Sequence, residues 1–276
     1  MRIQKPLLFC GQGCGAAAIE MLTGIFLAFE EESIVFDRYM ASSGSALFTS
    51  LYASGHRTEW FRNLMENKPF EDFACLKPVE AVKSVYNKSN YMYDNSGLFE
   101  LLQKEMTAEA TMKVQVSVTK LKGMKAKMYP AMPSTTHASG SIPILFAPVM
   151  ICGEPCGDGG IGNNIPLPSV KECADYKHVF VFLAPPDNYE QPTNIVEAGL
   201  NLLYAVMNRE ILQFEEAGYR QEPNVTVLQL PALMTGGLLG WSNEFELRDA
   251  AYKLAKSQLD SMKDNEGKFP WEVINA

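Results

Sequence analysis

Short apolar runs alternate along the chain with longer stretches of helical spacing. Leu7-Leu8-Phe9-Cys10 predicts a buried strand, and Ile19, Leu22, Ile25, Phe26 and Phe29 recur at helical intervals within Ala16 to Glu30. A second strand is expected over Ile34 to Met40, with a helix-like run from Leu47 to Gly55 and another from Thr58 to Met65. The stretch from Glu66 to Tyr93 is mixed in character, contains Pro69 and Pro78, and reads as an irregular or helical insertion. Gly97 opens a further helix, and Val114, Val116 and Val118 alternate with polar residues, which predicts a half-buried strand. The segment from Thr136 to Pro143 resembles a loop and short helix. Val179 to Ala184 predicts a buried strand, Ile195 to Ala217 a long helix and Val225 to Leu230 another strand. Asn243 is the expected cap of a last helix, with Glu246 in the capping-box position, running to about Met262. Strands alternating with helices imply an α/β fold with a largely parallel sheet.

Composition narrows what such a fold can do. The chain has 276 residues, 47% hydrophobic and 20% charged, enough to bury a full core. A net charge of −8 argues against a general nucleic-acid binder, which needs basic surface to neutralise phosphate. No run of 18 apolar residues predicts a membrane-spanning helix. The N-terminus lacks a signal-peptide pattern, and six cysteines in this length do not suggest a disulfide framework, so a cytoplasmic setting is expected. Against the acidic background Lys120, Lys122, Lys125 and Lys127 stand out. They read as the solvated face of a β-hairpin or, alternatively, as a contact for anionic lipid headgroups.

Two strand-to-helix junctions carry candidate chemistry. At the second, Ala41-Ser42-Ser43-Gly44-Ser45 holds a serine among small residues, the layout of a nucleophile elbow as well as of an ordinary turn. At the first, Gly11-Gln12-Gly13-Cys14-Gly15 leaves backbone N–H groups bare before a helix, able to bind a phosphate or an oxyanion. The dinucleotide fingerprint fits poorly, because the third glycine falls one place early. The chain has three histidines, His56, His137 and His178, of which only His137 is expected near these loops. Cys10 and Cys14 bracket the first loop, and Cys152 and Cys156 precede Asp158. Zinc ligation, thiol-sensitive activity and inert burial are the alternatives for these cysteines.

Four stretches in order resemble the patatin-like phospholipase family. They are Cys10 to Gly15, Ala41 to Leu47, Ala138 to Val149, and Asp158-Gly159-Gly160 with Asn164 and Pro166. They fall within residues 7–183 of what is expected to be a single domain completed by residues 195–276. The resemblance implies a three-layer α/β/α sandwich with a mostly parallel central sheet, related to the α/β hydrolases. It implies a lipid acyl hydrolase, a phospholipase A or lipase-like serine esterase, working through a Ser–Asp dyad and an acyl-enzyme without cofactor or metal. Ser43 takes the nucleophile position and Asp158 the base position, with Gly11, Gln12 and Gly13 in the loop that supplies oxyanion N–H groups. An aspartate acting directly as base needs no histidine. The sequence departs from the family where a basic residue of the oxyanion loop falls on Cys14 or Gly15, and where Gln12 replaces a glycine. The implied partner is a phospholipid or other lipid ester, reached by peripheral membrane contact. The alternatives are a catalytically weak or inactive lipid-binding protein on the same fold, and an acyltransferase built on Ser43 and His137.

Overall fold

A computed structural model describes residues 5–68, 72–73, 75–76, 93–185, 195–230 and 245–273. Most of the insertion expected between Glu66 and Tyr93, and Asn243, lie outside the described residues.

The chain opens with β1 (Leu7–Gly11), α1 (Ala16–Glu31), β2 (Arg38–Ala41), α2 (Ser43–Ala53) and α3 (Thr58–Asn67). Next come the short strands β3 (Cys75–Leu76) and β4 (Tyr93–Asp94), α4 (Ser96–Glu105), α5 (Ala108–Lys113), β5 (Val114–Lys120) and β6 (Lys125–Pro130). They are followed by α6 (Pro133–Ser139), β7 (Val149–Ile151), β8 (Glu154–Asp158), α7 (Gly160–Asn163), α8 (Val170–Cys173) and β9 (His178–Leu183). The last described elements are α9 (Ile195–Ala217), β10 (Val225–Gln229), α10 (Glu246–Met262) and α11 (Pro270–Val273).

The main sheet has eight strands in the order β10-β9-β1-β2-β5-β8-β7, with β6 also on β5. The run from β10 to β5 is parallel, while β6, β8 and β7 join antiparallel. Alternation along the strands makes three layers. Leu7, Phe9, Phe180 and Phe182 belong to the core cluster under α1, α2 and α10. Leu8, Cys10, Val179, Val181 and Leu183 belong to a second cluster, closed by Phe214 of α9 and Cys173 of α8. In the larger cluster the Phe26 ring stands 4.8 Å from Phe9, 5.0 Å from Phe48 and 4.6 Å from Tyr52, all edge-on. Aromatic pairs of this geometry add roughly 0.5–1.5 kcal/mol each beyond burial. They fix α1 to α2 and the sheet.

Three expectations change. The strand expected over Ile34 to Met40 begins late: Ile34-Val35-Phe36 form a connector, with Val35 exposed and its neighbours buried. The Ile34 N–H donates to Phe29 O, and the ladder with β1 begins at Arg38. The helix after β2 starts at Ser43, so the small residues of the elbow are its first turn. In the strand through Val114 to Val118 the valines are buried and Gln115 is exposed as expected, but Ser117 and Thr119 on the polar face are enclosed, because the segment from Gly159 into α7 packs over them.

A shared edge of β5 positions the site. β2 pairs with Val114 to Val116, and β8 pairs with Val118 to Lys120. Since β6 occupies the opposite edge along this length, β2 ends and β8 arrives on the same edge, one residue apart. The chain turning out of β2 at Ser43 therefore meets the end of β8 at Asp158.

Candidate active site

Ser42 caps α2 in extended conformation and gives its N–H to Gly11 O, which ties the elbow to β1. Ser43 follows with φ 50°, left-handed for a residue that bears a side chain. Its N–H donates to Ser139 Oγ at 3.0 Å. A Cβ on Gly44 would lie 1.9 Å from Gly15 O, so only glycine lets α2 start this close to the first loop. Ser45 takes the place of the usual second glycine and packs its Cβ into the space beside Gly11, while its hydroxyl donates to Gln12 O.

The Ser43 hydroxyl donates to Asp158 Oδ2 at 2.7 Å, and Asp158 Oδ1 accepts the Gly160 N–H at 2.7 Å. Both side chains are buried. Burial pushes the Asp158 carboxyl up to about 7, against the lowering effect of those two hydrogen bonds, with no cation to offset it. The turn from Ser139 to Ser141 holds the two residues together: Ser139 O accepts the Gly159 N–H and Ser141 O the Asp158 N–H.

The first loop is arranged differently from the expectation. The Gln12 N–H donates to Phe182 O at 3.1 Å, and the Gln12 carboxamide accepts from Ala184 N. The Gln12 N–H is thus a sheet bond. The Gly13 N–H is shared between Asn164 O and Asn164 Oδ1, each at 3.2 Å. A Cβ on Gly13 would sit 2.6 Å from Ser43 Cβ and 2.7 Å from Asn164 Oδ1. Asn164 therefore faces Ser43 across a space that only glycine leaves open, and its Nδ2 is buried without a hydrogen-bond partner among the described residues. The sequence motif contained Asn164 but gave no sign of this placement.

No histidine joins the pair. His56 bonds Glu105 and stacks on Trp60. His178, at the start of β9, bonds Thr226 Oγ1 and is pushed down to about 4 by burial. His137 stacks 5.1 Å from Phe99, and burial lowers its pKa. Its Nε2 has no partner among the described residues, and Asp158 and Ser43 are bonded to each other instead. Cys10 and Cys14 are buried, with thiols pushed up by desolvation, which places them with inert cysteines rather than reactive ones.

An apolar cleft, partly open to solvent, leads away from Ser43. Gly15, Gly44 and Gly140 line its inner end, and Leu47, Phe61, Leu64, Phe73 and Leu101 continue it. Among the described residues of this lining, Asn95 is the one polar side chain besides Ser43. Such a wall suits an acyl chain.

A family model, patatin-like phospholipase, matches residues 10–171. No curated protein matches the sequence. Among solved structures, VipD from Legionella pneumophila has 14% identity and a TM-score of 0.50, covering 93% of this chain and 66% of its own. ExoU, a type III effector protein of Pseudomonas aeruginosa, has 12% identity and a TM-score of 0.47, covering 94% of this chain and 53% of its own. Human GIVD cytosolic phospholipase A2 has 11% identity and a TM-score of 0.36, covering 92% of this chain and 57% of its own. The chain thus spans between half and two thirds of each of these solved chains. At these identities the likeness to VipD concerns the fold.

Proposed function

The chain belongs to the patatin-like phospholipase family, and on that premise we propose that it hydrolyses acyl esters of lipids with Ser43 as nucleophile and Asp158 as base. The observation that carries this reading is the 2.7 Å bond from Ser43 to a buried carboxylate, at the end of an apolar cleft. A carboxyl whose pKa lies near 7 accepts a proton at neutral pH and can return it, the property a general base needs.

Asp158 takes the hydroxyl proton as Ser43 Oγ attacks the ester carbonyl. The tetrahedral oxyanion needs donors. The loop expected to supply them ran from Gly11 to Gly13. With the Gln12 N–H bonded in the sheet, the donors in this reading are the bifurcated Gly13 N–H and the unpaired N–H groups of the first turns of α1 and α2. The Asn164 carboxamide lies beside them. Collapse expels the alcohol, which takes the proton from Asp158 and leaves an acyl group on Ser43. Water, deprotonated by the same carboxylate, then attacks the acyl-enzyme, and the fatty acid leaves with its chain in the cleft.

No helix among the described residues is long and apolar enough to cross a membrane, so in this reading contact with lipid is peripheral. A second reading, a lipid-binding protein with little turnover, is favoured by the occupied Gln12 and Gly13 N–H groups. Removing one oxyanion donor costs about 2.7–4 kcal/mol in the transition state. Hydrolysis of a panel of phospholipids and neutral esters separates the two. The hydrolase reading expects release of fatty acid that Ser43→Ala reduces to background. Saturable lipid binding with equal, background release by both proteins would favour the second.

A further inference from the structure

The main sheet carries two β-turns side by side beyond the dyad. β5 passes Asp158 at Val118 and runs on through Lys120 into the turn that leads to β6. The strand from Val118 to Lys120 rises about 7 Å before that turn begins. β8 lies antiparallel on the same segment, so the turn between β7 and β8, at Cys152 and Gly153, stands next to the turn at Gly123 and Met124. Both turns use left-handed backbone, at Cys152 and Gly153 and at Gly123 and Met124. The strands that deliver Gly13 and Ser43 end on this same edge of the sheet, so the paired turns project from the catalytic side.

The surface they present is basic and apolar at once. Lys122, Lys125 and Lys127 are exposed, Met124 is 55% exposed and Met150 61%. Lys120 is the lysine of this group paired with a carboxylate, Glu154. Four lysines against one glutamate give a local positive excess on a chain whose net charge is −8. The patch is also joined to the cleft. Leu121 and Pro143 meet at Gly157, each within 3.4 Å of where its Cβ would be. Pro143 lies between Ile142, which lines the cleft, and Ile144, which is 44% exposed. A flat anionic, apolar-cored surface complements this arrangement, since lysines meet the headgroups while methionines and Ile144 enter the acyl boundary.

We infer that the paired turns β5–β6 and β7–β8 are the docking surface for an anionic lipid bilayer, seating the cleft against the membrane. This deepens the lipid hydrolase reading and rests on it for the identity of what enters the cleft, but the docking itself can be measured without turnover. The experiment is co-sedimentation of the full chain with vesicles of phosphatidylcholine alone and with one third phosphatidylglycerol. Alongside it runs fluorophosphonate labelling of the protein in the absence of lipid. Wild type is expected to partition onto the anionic vesicles, less as salt rises. Lys122→Gln with Lys125→Gln is expected to weaken that partition by about 25-fold, at about fivefold per lysine. Met124→Ser is expected to weaken it at high salt as well as low. Lys171→Gln with Lys253→Gln, an equal charge change on other exposed surfaces, is expected to leave it within about twofold. All variants should label as wild type does. Equal binding by the Lys122/Lys125 variant and wild type, or no preference for the anionic vesicles, would overturn the docking surface. Failure of wild type to label would instead overturn the activated serine, and the vesicle result would stand separately.

Discussion

Asp158→Asn should make the protein more stable at pH 8 while removing the proposed base. Burial raises the carboxyl from 3.8 to about 7 in the folded chain. At about 1.36 kcal/mol per pKa unit, that shift of roughly 3 units disfavours the ionised form by about 4 kcal/mol relative to the unfolded chain. Because the folded pKa is raised, the associated stability is fully present below about pH 4, where both states hold the proton. It is lost as pH rises through 7, where the folded state must ionise a buried group. Asparagine carries no such cost and keeps the local hydrogen bonds: its Oδ1 accepts the Gly160 N–H and its Nδ2 donates to Ser43 Oγ, at the positions Asp158 now uses. Allowing for weaker neutral bonds, the expected gain at pH 8 is about 2–4 kcal/mol, roughly 3–7 °C in melting temperature for a chain of this length. Near pH 4 the two proteins should melt together. Paired melts followed by circular dichroism at several pH values between 4 and 8 make the test. An Asn variant no more stable at pH 8, or a difference that does not change with pH, would show that Asp158 is not a strained, buried carboxylate.

Activity should follow the same group: log kcat/KM rises by about one per pH unit below pH 7 and levels above it, and a profile flat from pH 5 to 8 would exclude Asp158 as the base. Gly13→Ala places a methyl 2.6 Å from Ser43 Cβ and 2.7 Å from Asn164 Oδ1; it is expected to cut kcat at least 100-fold and cost about 1–3 kcal/mol in denaturant melts. Ser139→Ala removes the acceptor of the Ser43 N–H; kcat should fall about tenfold with KM nearly unchanged, and an unchanged kcat would mean that the left-handed Ser43 needs no such anchor. His137→Ala should retain activity within about threefold, since its ring packs on Phe99 and not on the dyad; abolition would revive a Ser–His pair.

Much of the site was legible because its parts are local. The elbow needs small residues wherever it occurs, and Ala41 to Ser45 supply them in sequence. The strands β1 and β9 were readable from unbroken apolar runs, because strands covered on both faces must be apolar throughout. What could not be read depends on pairing at a distance. Nothing in Val114 to Lys120 says that β2 and β8 would share one of its edges, which is the feature that joins Ser43 to Asp158. The half-buried strand holds at the valines and at exposed Gln115 but not at Ser117 and Thr119, which are polar yet enclosed under the chain that follows β8, with hydroxyls on Gly159 O. In the first loop the Gln12 and Gly13 N–H groups have partners. Glycines at 11 and 13 suggested free N–H groups, but whether an N–H is free depends on Phe182 and Asn164, about 150 residues or more away in the chain. At Ile34 to Phe36 the apolar run suggested a strand, but it is a connector that plugs the core with Ile34 and Phe36 and leaves Val35 exposed, and such a plug is as apolar as a strand.

The central claim is that Ser43 is made nucleophilic by Asp158, and fluorophosphonate labelling read by intact mass tests it most directly, because the probe needs an activated serine and no lipid specificity. Wild type should gain a single adduct at pH 8, Ser43→Ala none, and Asp158→Asn the same adduct at least 100-fold more slowly. An adduct that persists in Ser43→Ala, or labelling of Asp158→Asn at the wild-type rate, would contradict the account.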